Sequence, residues 1–214
     1  MNRNRRIAFT AFACLAFSLG ILAMFVYRLA QPHVLSREEL AERGAIVFEV
    51  PRRFRDFAFV DHRGRPFTRE NLLGKWTLVF FGFTHCPDIC PTTLATLDRL
   101  LAQLSAEERA RLQVVLLSVD PERDTPERLA SYVAFFNPDF IGLTGSPHRL
   151  LSLATQLGVV YQKVPLPGGD YTVDHSGNLV LINPRGEYHA YLRPPFEEGQ
   201  LRLVLRSILA SYRE

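Results

Sequence analysis

The 214-residue sequence is poor in methionine and in lysine, and the shortage of methionine limits the ligands that it can offer to a metal ion. Methionine occurs only as Met1 and Met24, so the rest of the chain offers no thioether to a soft metal ion. A methionine-cluster site for copper(I) is therefore excluded, and a soft metal would have to bind through thiolate and imidazole groups. Lys75 and Lys163 are the only lysines, so arginine carries nearly all of the positive charge.

The body of the chain also lacks an excess of either charge. The formal net charge is +3, but four basic residues flank the first apolar segment: Arg3, Arg5, Arg6 and Arg28. Positions 29–214 then hold 21 basic and 22 acidic residues. Because a nearly neutral body has no strongly basic field, we predict no nucleic-acid partner.

Residues 7–27 form a run of 21 amino acids without a charge, long enough to cross a bilayer as a helix. Three arginines precede it, so the positive-inside rule places the N-terminus in the cytoplasm and the C-terminal domain in the periplasm or outside. A cleaved signal peptide is the alternative, but no small-x-small cleavage site follows the run. We expect an uncleaved, single-pass anchor in the inner membrane, with Cys14 inert inside it.

Downstream, apolar runs that suit strands alternate with segments of helical period. Strands are predicted at 54–60, 76–83, 112–119, 140–143, 179–182 and 188–192. Helices are predicted at 68–74, from Pro91 onward, from Thr125-Pro126 onward, at 148–157 and at 198–212. This order indicates a three-layer α/β sandwich with a mixed central sheet. The predicted organisation is an N-terminus and anchor at 1–28, a polar tether at 29–50 and one domain at 51–214.

The remaining two cysteines lie in the segment 81–94, which reads F-G-F-T-H-C-P-D-I-C-P-T-T-L. An apolar strand precedes Cys86, and a helix-period run follows Cys90. Pro91 suits the first position of that helix and disfavours the α conformation at Cys90, so we expect the cysteines in a turn. A helix N-terminus favours thiolate over thiol, and both metal binding and disulfide exchange require thiolates.

Three roles are open to this cysteine pair. A structural disulfide fits an oxidising compartment, but so small a loop would stabilise the fold little. A redox pair fits the strand–cysteine–helix layout of thioredoxin-like enzymes, although those space their cysteines by two residues. A soft-metal site fits the thiolates, which select copper(I) or zinc.

A metal site needs a further ligand, and His175 is the best candidate. The sequence D-H-S-G immediately precedes the strand at 179–182, and in a thioredoxin-like sheet that loop lies beside the cysteine turn. A loop histidine with no ligand role is the alternative. His85 should point away from Cys86, and Asp88 is interpreted as a turn residue. Two thiolates and one imidazole suit copper and leave one position open, whereas structural zinc would need a fourth protein ligand. The other histidines are expected in solvated positions: His33, His62, His148 and His189.

At these residues the chain resembles the Sco/SenC family of membrane-anchored copper proteins. The matching motifs are the segment 81–94, S-V-D-P-E-R-D-T-P-E at 118–127 and V-D-H-S at 173–176. The resemblance implies a thioredoxin-like fold and a copper(I) or copper(II) ion bound by Cys86, Cys90 and His175. It also implies a role in assembling the binuclear copper centre of cytochrome c oxidase subunit II.

Two functional hypotheses follow from the resemblance. The chain is either a copper chaperone for subunit II or a thiol–disulfide reductase that keeps the subunit's copper-site cysteines reduced. Cys86 and Cys90 would be the redox residues of such a reductase. A periplasmic copper donor or a thiol reductant would be the further partner. We favour the chaperone, because disulfide exchange does not need His175 and a copper(II) site does.

The anchor hypothesis predicts the topology of a fusion protein. A reporter that is active only outside the cytoplasm, joined after residue 214, should be active, and it should lose activity when residues 1–28 are deleted. Activity from a reporter that works only in the cytoplasm would contradict the topology.

Overall fold

The computed structural model describes residues 3–30 and 34–212. It divides into two compact units, one of residues 36–204 and one that combines residues 1–35 with 205–214. In the second unit, helix α1 (Arg3–Ala30) contains the 20-residue stretch Phe9–Arg28, whose mean hydropathy is 2.3. By length and composition this helix can cross a membrane.

The unit of residues 36–204 contains ten strands, eight of which form one mixed sheet. In chain order the strands are β1 (Ala45–Arg52), β2 (Ala58–Asp61), β3 (Pro66–Thr68), β4 (Trp76–Gly82), β5 (Leu112–Ser118), β6 (Ile141–Thr144), β7 (Tyr161–Pro165), β8 (Tyr171–His175), β9 (Leu179–Ile182) and β10 (Tyr188–Leu192). The large sheet has the order β1-β10-β9-β4-β5-β6-β2-β3, and β7 and β8 form a separate two-stranded sheet. The predicted mixed α/β fold is confirmed.

Strand β4 is at the centre, parallel to β5 and antiparallel to β9. All seven of its residues are buried, which explains its unbroken apolar sequence, since a strand covered on both faces does not alternate. The remaining helices are α2 (Arg37–Glu42), a 3₁₀ turn (Arg69–Leu72), α3 (Ile89–Ala102), α4 (Ala106–Ala110), α5 (Pro126–Phe136), α6 (Pro147–Gln156) and α7 (Glu198–Ser211). Helix α3 lies between β4 and β5 in the chain and α5 between β5 and β6, both pairs of strands are parallel, and the two helices contact each other.

The sheet begins earlier in the chain than the sequence predicted. Residues 45–50, expected as part of the tether, belong to β1, which pairs antiparallel with β10 through contacts such as Ile46 with Tyr191. The predicted strand at 54–60 shortens to β2. Strand β1 is at the edge of the sheet, and its residues are mostly intermediate or exposed. Its apolar run, residues 45–48, is short and is followed by Glu49, unlike the run of the central strand.

The hairpin of β7 and β8 was not predicted at all. Its strands are mostly intermediate or exposed, and β7 ends at Pro165. Gly168 and Gly169 both have positive φ and lie in the connection between the two strands. His175 is therefore the last residue of a strand rather than a loop residue.

Candidate metal centre

The three predicted ligand side chains converge beside the end of β4. Cys86 lies in the turn after β4, Cys90 in the first turn of α3 and His175 at the end of β8. Their ligand atoms all lie within 4.8 Å of one another. The structure thus brings two sulfurs and one imidazole nitrogen close enough to share one metal ion.

Helix α3 begins earlier than predicted. It starts at Ile89 with Asp88 at the N-cap, so Cys90 is helical and Pro91 is the third helical residue. The prediction that Cys90 lies before the helix was wrong, because the N–H groups of the whole first turn have no intrahelical acceptor and proline is tolerated throughout it. The Cys90 N–H donates to Cys86 Sγ over 3.4 Å, and the Cys86 N–H donates to the Phe83 carbonyl over 3.3 Å.

The imidazole of His175 has one nitrogen directed at the sulfurs. Its Nε2 lies 3.5 Å from Cys90 Sγ, while its Nδ1 lies 3.2 Å from the Ser176 carbonyl oxygen. A carbonyl can only accept, so Nδ1 carries the proton in this hydrogen bond and Nε2 keeps its lone pair in the neutral ring. This arrangement is common for histidines that bind metal ions, because the second hydrogen bond fixes both tautomer and ring orientation.

Aromatic side chains and a glycine shape the rest of the site. The rings of Phe80 and Phe83, both buried, meet the His175 ring nearly edge-on at centroid distances of 5.8 and 5.9 Å. Gly82, between them, lies directly beside the buried sulfur: a Cβ there would be 3.0 Å from Cys90 Sγ and 2.9 Å from Phe80 Cε1. Sequence reasoning missed Gly82, whose only signal was a glycine inside an apolar strand.

The two thiols have opposite ionisation preferences. A hydrogen bond from the Cys90 thiol, with further hydrogen bonds from the backbone N–H groups of Cys90 and Asp88, lowers the pKa of Cys86 to about 4. The same hydrogen bond to the Cys86 thiolate, together with burial, raises the pKa of Cys90. Cys86 is therefore the thiolate and is half-buried, whereas Cys90 is the buried, protonated partner.

A buried carboxylate holds the cysteine turn in place. Asp124 has no exposed surface. Its oxygens accept from the Thr84 N–H (3.1 Å), the Thr84 hydroxyl (2.6 Å) and the Ser118 hydroxyl (2.6 Å). In the chain, Asp124 immediately precedes the Thr125 cap of α5. Its link to Thr84 is a tertiary contact that no local pattern indicates.

The other candidates lie outside the cluster. His85 is exposed, and its Nε2 lies 2.9 Å from Arg128 Nη1, so it points away from the sulfurs as predicted. Asp88 is likewise not among the grouped ligand atoms. His189 is buried beside Trp76, with ring centroids 5.0 Å apart, so its predicted solvation was wrong. His33 lies outside the described residues.

A sequence model of the SCO1/SenC family matches residues 50–210. The chain belongs to the SCO1/SenC family. This confirms the resemblance seen in the motifs, and the match covers the strands and helices that form the site.

Relatives within the SCO1/SenC family agree in sequence and in fold. A Stutzerimonas stutzeri protein named for copper binding is 46% identical over 154 residues, which are 72% of this chain and 76% of that protein. The crystal structure of Arabidopsis thaliana ScoI with copper bound is 37% identical, covers 73% of this chain and 98% of that one, and has a TM-score of 0.68. BsSco, described by a disulfide switch and as a member of the Sco family of cytochrome c oxidase assembly proteins, is 26% identical. The superposition with BsSco covers 78% of this chain and 97% of the BsSco chain, with a TM-score of 0.61. The chain spans 38% to 62% of the length of the mitochondrial relatives.

The thiol pair of this SCO1/SenC protein predicts a pH profile for alkylation. In a Cys14→Ser background, iodoacetamide should label Cys86 with a midpoint near its pKa of about 4. The rate should stay high at pH 6, because a depressed thiol pKa keeps sulfur ionised above that pKa and protonates it only below. Replacing Cys90 by alanine removes the main hydrogen bond, which should raise the pKa of Cys86 toward the ordinary thiol value and lower the rate at pH 6 by at least about tenfold. An unchanged rate in the Cys90→Ala variant would contradict this assignment.

Proposed function

We propose that this chain is a membrane-anchored copper chaperone that delivers copper to the binuclear site of cytochrome c oxidase subunit II. Cys86, Cys90 and His175 bind the copper ion, as copper(I) or copper(II). Family membership, the copper-bound ScoI relative and the association of the Sco family with oxidase assembly support this proposal.

The proposed organisation follows the sequence. Residues 1–28 are the cytoplasmic N-terminus and the membrane anchor, and the segment after them is a tether. Residues 51–214, extended at the front by β1, form the copper-binding domain outside the cytoplasm. The apolar helix α1 and the arginines that precede its uncharged run support this orientation.

The orientation of His175 is the observation that carries the chaperone proposal. An enzyme that only exchanges disulfides needs two sulfurs and a path to them, not a third ligand. Here a histidine approaches Cys90 Sγ with the nitrogen that has the free lone pair, and the Ser176 carbonyl holds the ring in that tautomer. Such a fixed imidazole completes a Cys₂His site of the kind that suits copper.

Copper binding at this site has a simple proton balance. The Cys86 thiolate can bind the ion at once, whereas the Cys90 thiol must lose its proton to become a ligand. Two thiolates are enough to hold copper(I), and the imidazole adds the third ligand that copper(II) requires. A three-coordinate ion leaves an open position at which a ligand of the receiving protein can bind, so that copper passes by ligand exchange.

A thiol–disulfide reductase is the second candidate. The half-buried, ionised Cys86 favours it, because a thiolate attacks a disulfide sulfur. In that reaction Cys86 forms a mixed disulfide with the target, Cys90 displaces it, and the target leaves as a dithiol. Two electrons move to the target, which takes one proton from the Cys90 thiol and the other from solvent. The pair ends as a Cys86–Cys90 disulfide that a periplasmic thiol reductant must reduce again.

The ligand assignment predicts different losses for the two ligand types. Cys86→Ser or Cys90→Ser should abolish stoichiometric copper binding, because an alcohol is a poor substitute for a thiolate. His175→Ala should retain copper(I) but lose the coloured thiolate–copper(II) complex, measured by metal analysis and visible absorption. His85→Ala and Cys14→Ser are matched controls that should behave as wild type. An unchanged copper(II) spectrum in His175→Ala would remove that residue from the site.

A transfer assay with the copper domain of oxidase subunit II separates the two functions. One series offers that domain with its cysteines reduced and metal-free, and the other offers it oxidised. A chaperone predicts that copper-loaded wild type metallates the reduced domain and that His175→Ala does so poorly.

A reductase predicts the opposite pattern in the same assay. Copper-free protein should then reduce the oxidised domain, and His175→Ala should be nearly as active as wild type. We expect the chaperone pattern. Failure of copper-loaded wild type to metallate the reduced domain, with rapid disulfide reduction by both forms, would reverse the assignment.

A further inference from the structure

The histidine and the cysteines of the site belong to different sheets. Cys86 and Cys90 follow the central strand of the large sheet, whereas His175 ends the small β7–β8 sheet, whose strands pair with each other from Tyr161–His175 to Pro165–Tyr171. No backbone ladder joins the two sheets within the described residues. The backbone joins them only through the short link from His175 to β9 at Leu179, so side-chain contacts between the hairpin and the body also determine where the imidazole lies relative to the sulfurs.

Three residues that follow β5 supply such contacts. The Tyr171 hydroxyl donates to Asp120 Oδ1 over 2.8 Å. The guanidinium carbon of Arg123 lies 3.8 Å from the centroid of the Tyr171 ring, and Arg123 Nη1 donates to the Tyr171 carbonyl over 3.0 Å. Arg123 also pairs with Asp120, and Lys163 of β7 pairs with Glu122 at 2.6 Å.

Asp120 is well suited to fix this junction because it is fully buried. A buried carboxylate must be matched by donors, and here they are the Arg123 guanidinium and the Tyr171 hydroxyl. Its backbone N–H donates to Ser118 Oγ over 3.0 Å, and that hydroxyl in turn donates to Asp124. Asp124 holds the cysteine turn through Thr84, so one short segment, residues 118–124, contacts both halves of the site.

Tyr171 and His175 are the first and last residues of the same strand, β8. Side chains two and four positions apart lie on the same face of a strand, so Tyr171 and His175 point to the same side of β8. They are separated by about 13 Å at the rise of an extended strand. Tyr171 fixes the start of the strand against segment 118–124, and His175 occupies its end beside the sulfurs.

We infer that Asp120, Arg123 and Tyr171 are positioning residues that set the imidazole of His175 against the thiolates. This inference rests on the proposed function and deepens it, because it assigns separate supports to the two ligand types. Asp124 supports the cysteine turn, and the Asp120–Arg123–Tyr171 contact supports the histidine. Weakening the latter should affect copper(II), which requires the imidazole, and spare copper(I), which two thiolates hold.

The test compares variants of the full, detergent-solubilised chain titrated with copper(I) and with copper(II) chloride. Tyr171→Ala removes both ring and hydroxyl, Tyr171→Phe keeps the ring under Arg123, and Asp120→Asn removes the carboxylate. Tyr161→Phe is the matched control, because it deletes a hydroxyl from the same hairpin directly across from His175.

Loss of a residue that orients a metal-bound histidine typically costs about 10–100-fold in metal affinity. We expect Tyr171→Ala and Asp120→Asn to bind copper(II) at least about tenfold more weakly. The nitrogen splitting in the electron paramagnetic resonance spectrum should diminish, and copper(I) stoichiometry should stay that of wild type. Tyr171→Phe should lose less affinity, and Tyr161→Phe none.

Two results would overturn the inference directly, and a third would overturn it by refuting the ligand set. One is wild-type copper(II) affinity and spectrum in both Asp120→Asn and Tyr171→Ala. Another is a parallel loss of copper(I), which would place the effect on the whole fold rather than on the histidine. If Tyr171→Ala fails to fold, Asp120→Asn and Tyr171→Phe decide by the same criteria. Equal copper(II) binding by wild type and His175→Ala would instead refute the proposed ligand set itself, and the inference would fall with it.

Discussion

The site depends on the close approach of the Cys90 sulfur to the backbone at Gly82. Only a residue without a side chain leaves room there, since a Cβ would lie 3.0 Å from the sulfur. The contact seats the first turn of α3 directly on the end of the central strand. Phe80, two positions before Gly82, and Phe83, directly after it, then provide the aromatic surface that the His175 ring contacts. The absence of a side chain at Gly82 thus allows the central strand, the Cys90 sulfur and the His175 ring to lie close together.

The parts of the fold that could be predicted are those whose burial is evident in the residue types. The run at 76–83 predicts a buried strand because it is almost entirely apolar, and all seven residues of β4 are indeed buried. Cys86 and Cys90 could be placed at a strand-to-helix junction for the same reason, with only the helix start displaced by two residues. His175 emerged from its position before β9 and from the family resemblance, and the structure brings it to the sulfurs.

The rest could not be predicted because it depends on tertiary contacts of polar or small residues. The β7–β8 hairpin is half exposed and short, so it holds too few apolar residues to indicate a pair of strands. Asp120 and Asp124 look like ordinary turn residues, and locally they are. Their second role, joining the hairpin and the cysteine turn to the end of β5, involves partners 40 to 51 positions away. Gly82 is a similar case, because its meaning lies in what approaches it.

The two sulfurs of the site differ in their exposure to solvent. Cys86 is half-buried, whereas Cys90 has no exposed surface and lies against strand β4 at Gly82. A partner that approaches from solvent, whether it carries a thiolate or a disulfide, therefore meets Cys86 first. In either proposed function, this difference in exposure would make Cys86 the first sulfur to bond to an incoming group and Cys90 the last to release it.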